Sequence, residues 1–232
     1  MRVDLNCDLG EGCPSDEELM PLITSANIAC GAHAGDAGTM AVALAAAARH
    51  GVQVGAHPGY FDREHFGRRE LDRPADAVFW DCVYQIGALW ALARTAGVAV
   101  RYVKPHGALY NQACRERALA EPVVRAAAEF GLAVMGLPGS ALAQVASARG
   151  RFIAEGFADR RYRPDGSLVP RSEPGAFVED PEEAARQVEW LLRERGVETI
   201  CVHGDNPQAL AFVRRLREFL TVRGFTIQAF AP

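Results

Sequence analysis

Residues 99–111 read AVRYVKPHGALYN. Ala99–Val103 is a short apolar run of strand length, set off by Gly97. Lys104, His106 and Asn111 follow it at once, and a helical pattern begins behind them. The unit is therefore a strand that ends in chemically capable side chains and then hands over to a helix. It recurs along the whole chain, because short apolar runs alternate with longer helical patterns, as in βα units that build a parallel sheet. Seven such strands are predicted, at Arg2–Cys7, Ala26–Cys30, Gln53–Ala56, Ala99–Val103, Ala133–Gly136, Arg151–Glu155 and Thr199–Val202. Thr226–Phe230 reads as an eighth strand or an edge piece.

The helices between them carry their own end signals. Ser15 with Glu18 forms a capping-box pattern, and Asp180-Pro181 and Asn206-Pro207 each place an N-cap residue before a first-turn proline. Gly51, Gly97, Gly131, Gly196 and Gly224 fall where helices should stop. Pro74–Ala96 is the longest helical pattern, with Phe79, Trp80, Val83, Ile86, Leu89 and Trp90 expected to face the core. The segment 157–178, FADRRYRPDGSLVPRSEPGAFV, breaks the regular order with three prolines and four arginines, and long loops of this kind serve as functional lids. Repeated βα units without a dinucleotide fingerprint point to a closed or nearly closed barrel whose active site is built from the loops after the strands. Seven strands make it a distorted α/β barrel.

At 232 residues a single domain spanning 1–232 is expected, since cores split beyond about 250–300 residues. A formal charge of −4 gives no reason to propose nucleic acid or a membrane surface as partner. Asp4, Asp8 and Glu11 interrupt the N-terminus where a signal peptide needs an apolar stretch, and no run of about 18 apolar residues occurs. A soluble cytoplasmic protein is expected. Six cysteines without a CxxC pair are expected to be buried thiols rather than a disulfide frame.

Lysine is nearly absent: Lys104 is the only one among 25 basic residues, at a place where a compact, tunable ammonium would matter. Nearly every strand ends in polar groups. Asn6, Asp8 and Glu11 follow the first strand, His33 and Asp36 the second, His57 the third, and Lys104, His106 and Asn111 the fourth. Asp159 and Arg160 follow the sixth, and His203, Asp205 and Asn206 the last. One histidine alone is ordinarily structural, whereas four at equivalent strand ends are hard to explain by packing. A carboxylate with histidines can bind a divalent metal and activate water, with Asp8 or Asp4 beside His33 and His57 as the ligand set. The same groups can act on an amide as general acids and bases without metal. Arg160 and Arg171 suit an anion. No GxxxxGK(S/T) phosphate loop is present, so a nucleotide would be held in some other way or by a partner.

The motifs DLNCDLGEG, SANIACGAHAGD, GAHPGYFDREHFGRRE, YQIGAL, VKPHGALYN, FADRRYRPDGSLVPR and VHGDNPQAL, in this order, resemble the LamB/YcsF family over the whole chain. Ala32 departs from the phenylalanine usual beside the motif histidine, and the segment before Cys201 is shorter than in many relatives; neither change removes a polar candidate. The resemblance implies a seven-stranded (β/α) barrel similar to the glycoside hydrolase/deacetylase superfamily. It implies the A subunit of an ATP-dependent 5-oxoprolinase, which opens 5-oxo-L-proline to L-glutamate with ATP as co-substrate and with subunits B and C as partners. On that reading Asp8, His33, His57, Lys104 and His106 are catalytic, and Asn6, Glu11, Asp36, Asn111, Asp159, Arg160, Arg171, His203 and Asp205 bind substrate. The competing expectations are a metal-dependent deacetylase acting on a sugar amide, and a non-catalytic subunit that holds a small acid.

Overall fold

The structure is a computed structural model that describes residues 1–203 and 209–230. Strands β1 (Arg2–Leu9), β2 (Ser25–Ala29), β3 (Gln53–His57), β4 (Val100–Val103), β5 (Ala133–Gly136), β6 (Phe152–Phe157) and β7 (Thr199–Val202) are all parallel. Each pairs with the next, and β7 returns to β1, closing a seven-stranded barrel. The short β8 (Thr226–Ile227) adds to Arg2 and Val3 of β1, outside the ring, so the expected eighth run is an edge piece. Closure requires a stagger between strands. The eight residues of β1 provide it by pairing Asp4–Cys7 with β7 and Asn6–Leu9 with β2.

The helices α1 (Asp16–Leu19), α2 (Ala37–His50), α3 (Ala75–Thr95), α4 (Gly107–Arg115), α5 (Arg117–Glu129), α6 (Ala141–Arg149), α7 (Pro181–Glu194) and α8 (Ala209–Val222) cover the barrel. The glycine stops hold: Gly51, Gly97, Gly131, Gly196 and Gly224 all take left-handed backbone angles. Asp180 caps α7 through the Glu182 amide. Ser15 does not cap α1, because it is itself in the helical region and its side chain makes no capping bond. Asn206-Pro207 lies outside the described residues. Trp80 is a second correction. It is 65 % exposed, while Val78, Cys82 and Gln85 of α3 take buried positions in its stead. None of the six cysteines is in a disulfide. No helix among the described residues is long and apolar enough to cross a membrane.

Strand alternation divides the protein into two interiors. Val3, Leu5, Cys7 and Leu9 of β1 face the helices and join the main apolar core. Asp4, Asn6 and Asp8 face into the barrel, which is polar. At its base Tyr102, Met135, Ile153 and Phe230 form a small apolar plug. Above the plug the Tyr102 hydroxyl donates to Asn27 Oδ1 (2.7 Å), and Asn27 Nδ2 donates to Asn6 Oδ1 (2.7 Å) and Asp8 Oδ1 (2.7 Å). Tyr102 fits because β3 has a glycine opposite it: a Cβ on Gly55 would lie 2.1 Å from the Tyr102 ring. Asp4 is buried, with Oδ1 accepting from Thr24 (2.6 Å) and Ser25 (2.7 Å) and Oδ2 from Thr199.

Two outcomes test this interior. Gly55→Ala is expected to cost about 3 kcal/mol or more through the clash with Tyr102, seen as a lower urea midpoint; an unchanged midpoint would refute the close approach. Burial raises the Asp4 carboxyl to about 6 despite its hydroxyl donors. A folded-state value above the unfolded one means that folding binds a proton, so this group's contribution is present below about 4 and is lost as pH rises towards 6. Asp4→Asn, measured by urea denaturation against wild type, should therefore gain relative stability from pH 4 to 7, by up to about 3 kcal/mol. A constant difference across that range counts against it.

Candidate active site

The end of β4 places Lys104 at the floor of a cavity, at the C-terminal ends of the strands. Its Nζ lies 2.9 Å from Asp8 Oδ1, 2.8 Å from Glu155 Oε1, 3.2 Å from Asn6 Oδ1 and 3.1 Å from Cys201 Sγ. Burial pulls the ammonium towards neutrality, but Asp8, Cys201 and Glu155 outweigh it and hold its pKa well above the usual lysine value. Asp8 is the mirror case: burial raises its carboxyl, and His57 and Lys104 together drive it well below the ordinary range. Glu155, fully buried in β6, also accepts from the Tyr110 hydroxyl (2.9 Å). Lys104 is therefore a fixed positive charge and Asp8 a fixed negative one.

Three histidines stand beside this pair. His57, the last residue of β3, donates from Nδ1 to the Lys104 carbonyl (2.7 Å), and its Nε2 lies 3.3 Å from Asp8 Oδ2. His106 donates from Nε2 to the Phe66 carbonyl (2.9 Å), and its Nδ1 lies 3.0 Å from His57 Nε2. His33 stacks on His106 with ring centroids 3.7 Å apart and donates from Nε2 to Glu11 Oε1 (3.1 Å); its buried Nδ1 has no partner among the described residues. Burial lowers the pKa of both His33 and His106, keeping the stacked rings neutral; for His106 the neighbouring His33 and His57 add to the fall. Glu11, His33, His57 and His106 each offer a ligand atom within 4.8 Å of the others and form a candidate metal cluster.

The opposite wall is cationic. Arg160 is buried, donates to the Val169 carbonyl (2.6 Å) and leaves Nε without a partner among the described residues. Burial and the nearby Arg171 lower its pKa to about 10. Both guanidiniums lie against Phe177, at 5.3 and 5.4 Å from the ring centre. His203 donates from Nδ1 to Asp159 (2.8 Å), whose pKa falls below its usual value because His203 outweighs the effect of burial. The cavity between the walls measures about 710 Å³ and is bounded by Asp8, Glu11, His57, Lys104, His106, Asn111, Arg160, Arg171 and His203 among others.

The family model of the LamB/YcsF family matches residues 3–232. The chain belongs to the LamB/YcsF family. The fold also aligns with the lactam utilization protein of Thermus thermophilus, at 41% identity and a TM-score of 0.91, over 99% of this chain and 100% of that one. More distant likenesses show the barrel alone. A putative cellobiose-phosphate cleavage protein of Enterococcus faecalis aligns at 11% identity and a TM-score of 0.61, over 98% of this chain and 96% of that one. The catalytic domain of a peptidoglycan N-acetylglucosamine deacetylase of Eubacterium rectale aligns at 9% identity and a TM-score of 0.57, over 99% of this chain and 88% of that one. The deacetylase-like seven-stranded barrel expected from the LamB/YcsF motifs is therefore the fold observed.

Within the LamB/YcsF frame the structure sorts the expected site residues. Asp8, Glu11, His57, Lys104, His106, Asn111, Arg160, Arg171 and His203 reach the cavity. Four do not. Asn6 is buried beneath Lys104 and donates to Thr199 Oγ1 (2.7 Å), so it supports the floor. His33 lies behind His106, and Asp159 behind His203. Asp36 is the clear correction: it is exposed and its carboxylate caps α2 through the Thr39 amide (2.9 Å) in a reciprocal capping box. Asp205 lies outside the described residues. The ligand set Asp8, His33 and His57 also changes, because Lys104 and Asn27 both bind Asp8 Oδ1 while Glu11 and His106 join the histidines. Sequence reasoning missed Glu155, whose signal was a lone charge inside an apolar strand, and Cys201, which looked like an ordinary buried thiol.

Removing one member of a buried charge pair leaves its partner uncompensated, at a cost of about 3–5 kcal/mol. Lys104→Met is expected to lose about that much in urea denaturation, and adding Glu155→Gln should restore part of it. A double variant no more stable than the single one would show that Glu155 does not depend on Lys104.

Proposed function

We propose that this chain is the A subunit of an ATP-dependent 5-oxoprolinase and opens the ring of 5-oxo-L-proline to give L-glutamate, in the cytoplasm and together with subunits B and C. The observation that carries the reading is the 41% identity to a lactam utilization protein over 99% of the chain. The cavity supplies chemistry suited to a small, anionic cyclic amide. A γ-lactam is a resonance-stabilised amide with little ring strain, so hydrolysis benefits from activation, and transfer of the ATP phosphoryl group to the lactam oxygen provides it. Water then adds to the ring carbon. The ring C–N bond breaks as nitrogen takes up the protons released by that water, leaving an acyl phosphate. A second water hydrolyses it to L-glutamate and phosphate.

Each wall has a part in this scheme. Lys104, charged throughout, places positive potential at the floor where negative charge develops on oxygen. The Asp8 carboxylate faces the cavity 3.3 Å from His57 Nε2 and accepts the proton of the attacking water. Arg160 and Arg171 hold the carboxylate of the substrate, which satisfies the unpartnered Arg160 Nε. Within the cluster of Glu11, His33, His57 and His106, the groups that border the cavity fit a Lewis-acidic cation, which would polarise the scissile carbonyl. The chain carries no GxxxxGK(S/T) phosphate loop, so ATP is held in some other way or by the partner subunits.

Mixing the chain with subunits B and C should yield glutamate release that depends on ATP and 5-oxo-L-proline and stops when any component is omitted. Release of glutamate by subunits B and C alone would sink this assignment. Arg160→Met in the same assay should raise KM for 5-oxo-L-proline at least tenfold, with a smaller effect on kcat.

A further inference from the structure

Electron pairs with no donor between them converge at one wall of the cavity. The Lys104 carbonyl, 2.7 Å from His57 Nδ1, requires the hydrogen on that nitrogen, so the ring in its neutral form presents a lone pair on Nε2. The Phe66 carbonyl, 2.9 Å from His106 Nε2, fixes that ring in the other tautomer, with its lone pair on Nδ1. These two bare nitrogens lie 3.0 Å apart. Glu11 Oε1 lies 3.4 Å from His106 Nδ1 and 4.0 Å from His57 Nε2, and Asp8 Oδ2 adds a fourth acceptor 3.3 Å from His57 Nε2. Such an arrangement needs a positive species among them.

The spacing indicates which species. Nitrogen and oxygen ligands at 2.0–2.2 Å from a tetrahedral zinc-type ion stand about 3.3–3.5 Å apart. The three separations among His57, His106 and Glu11, at 3.0, 3.4 and 4.0 Å, bracket that value. Each of the three also has the outer hydrogen bond typical of a metal ligand. The carbonyls of Lys104 and Phe66 orient the two rings, and His33 Nε2 orients Glu11 (3.1 Å). Glycines confine the stack further, since a Cβ on Gly67 would lie 2.7 Å from His33 Cβ and 3.1 Å from His106 Cδ2. Glu11, His57 and His106 border the cavity, which leaves the remaining coordination positions open to a ligand or water.

We propose that Glu11, His57 and His106 bind one divalent d-block cation of the zinc or cobalt class, with His33 as an outer partner that positions Glu11. Two imidazoles and one carboxylate suit such ions better than magnesium or calcium, which prefer all-oxygen sites. The other group of candidate ligands, Asp8, Cys201 and His203, already holds a cation of the chain's own: Lys104 Nζ sits 2.9 Å from Asp8 Oδ1 and 3.1 Å from Cys201 Sγ. One ion per chain follows.

The test uses the full chain, stripped with chelator and titrated with Zn²⁺ and Co²⁺ by calorimetry, with visible absorption of the Co²⁺ form; no substrate or partner is present, so the result is separate from the lactam assignment. Expected are one ion per chain and Co²⁺ bands of a low-coordinate site. His106→Phe, which keeps the stacked ring, and the near-isosteric Glu11→Gln should each weaken binding at least 100-fold, His33→Gln should weaken it about tenfold, and the exposed-helix variant His50→Gln should leave it unchanged. Absence of a stoichiometric ion would overturn the proposal in favour of a proton shared between His57 and His106. Equal affinity in wild type and Glu11→Gln, or loss of binding in His50→Gln, would overturn it by placing the ion elsewhere.

Discussion

The ammonium of Lys104 is held inside the barrel between two carboxylates, Asp8 at 2.9 Å and Glu155 at 2.8 Å, with almost no access to water. Isolated burial of any one of these charges would cost several kcal/mol, and the group would neutralise instead. Together they remain ionised, and the rest of the interior is arranged around keeping them so. Asn6 and Asn27 carry hydrogen bonds between Lys104, Asp8 and Tyr102, and Tyr110 takes the second oxygen of Glu155. The apolar plug of Tyr102, Met135, Ile153 and Phe230 closes the base. Stability therefore comes chiefly from the separate apolar core between barrel and helices, which leaves the barrel interior to be polar.

This division follows from strand alternation and explains the position of the site. On β1 the outward residues Val3, Leu5, Cys7 and Leu9 anchor the helices, while Asp4, Asn6 and Asp8 climb the inner wall. Asp4 meets only hydroxyls, Asn6 meets Lys104, and Asp8 meets Lys104 and His57 at the rim. The polarity of the interior thus rises along a single strand towards its C-terminal end, where the cavity opens.

Much of this is legible in the amino-acid order. The strand runs Ala133–Gly136 and Thr199–Val202 coincide with β5 and β7, since buried parallel strands show as apolar runs ended by glycine or by polar groups. The lone lysine and the strand-end histidines Lys104, His57 and His106 do meet in one cavity. What stays hidden depends on which way a side chain turns. Asp36 reads as a site residue because it follows β2, but a carboxylate immediately before a helix serves the helix amides first. Glu155 is hidden by the opposite circumstance: its partner is far away in sequence, and only ring closure brings β6 across from β4. The replacement of Asp8 by Glu11 and His106 in the candidate metal cluster likewise follows from distances that motif spacing does not contain.

The two walls of the cavity differ in sign, and this restricts how a ligand can lie. Arg160 and Arg171 flank the same Phe177 ring although their charges repel, and burial, reinforced by Arg171, lowers the Arg160 pKa to about 10. An anionic group placed between them relieves both the repulsion and the unpartnered Arg160 Nε. Across the cavity Asp8 and Glu11 present carboxylates that reject the same anion. On the proposed reading the carboxylate of the lactam ring is thereby drawn to the arginines and kept from the acidic wall. The amide, at the other end of the ring, is then the part that faces Lys104 and His57. Orientation of the substrate is set by this polarity, and the long loop after β6, which supplies both arginines, is needed for it as much as the strand ends are for the chemistry.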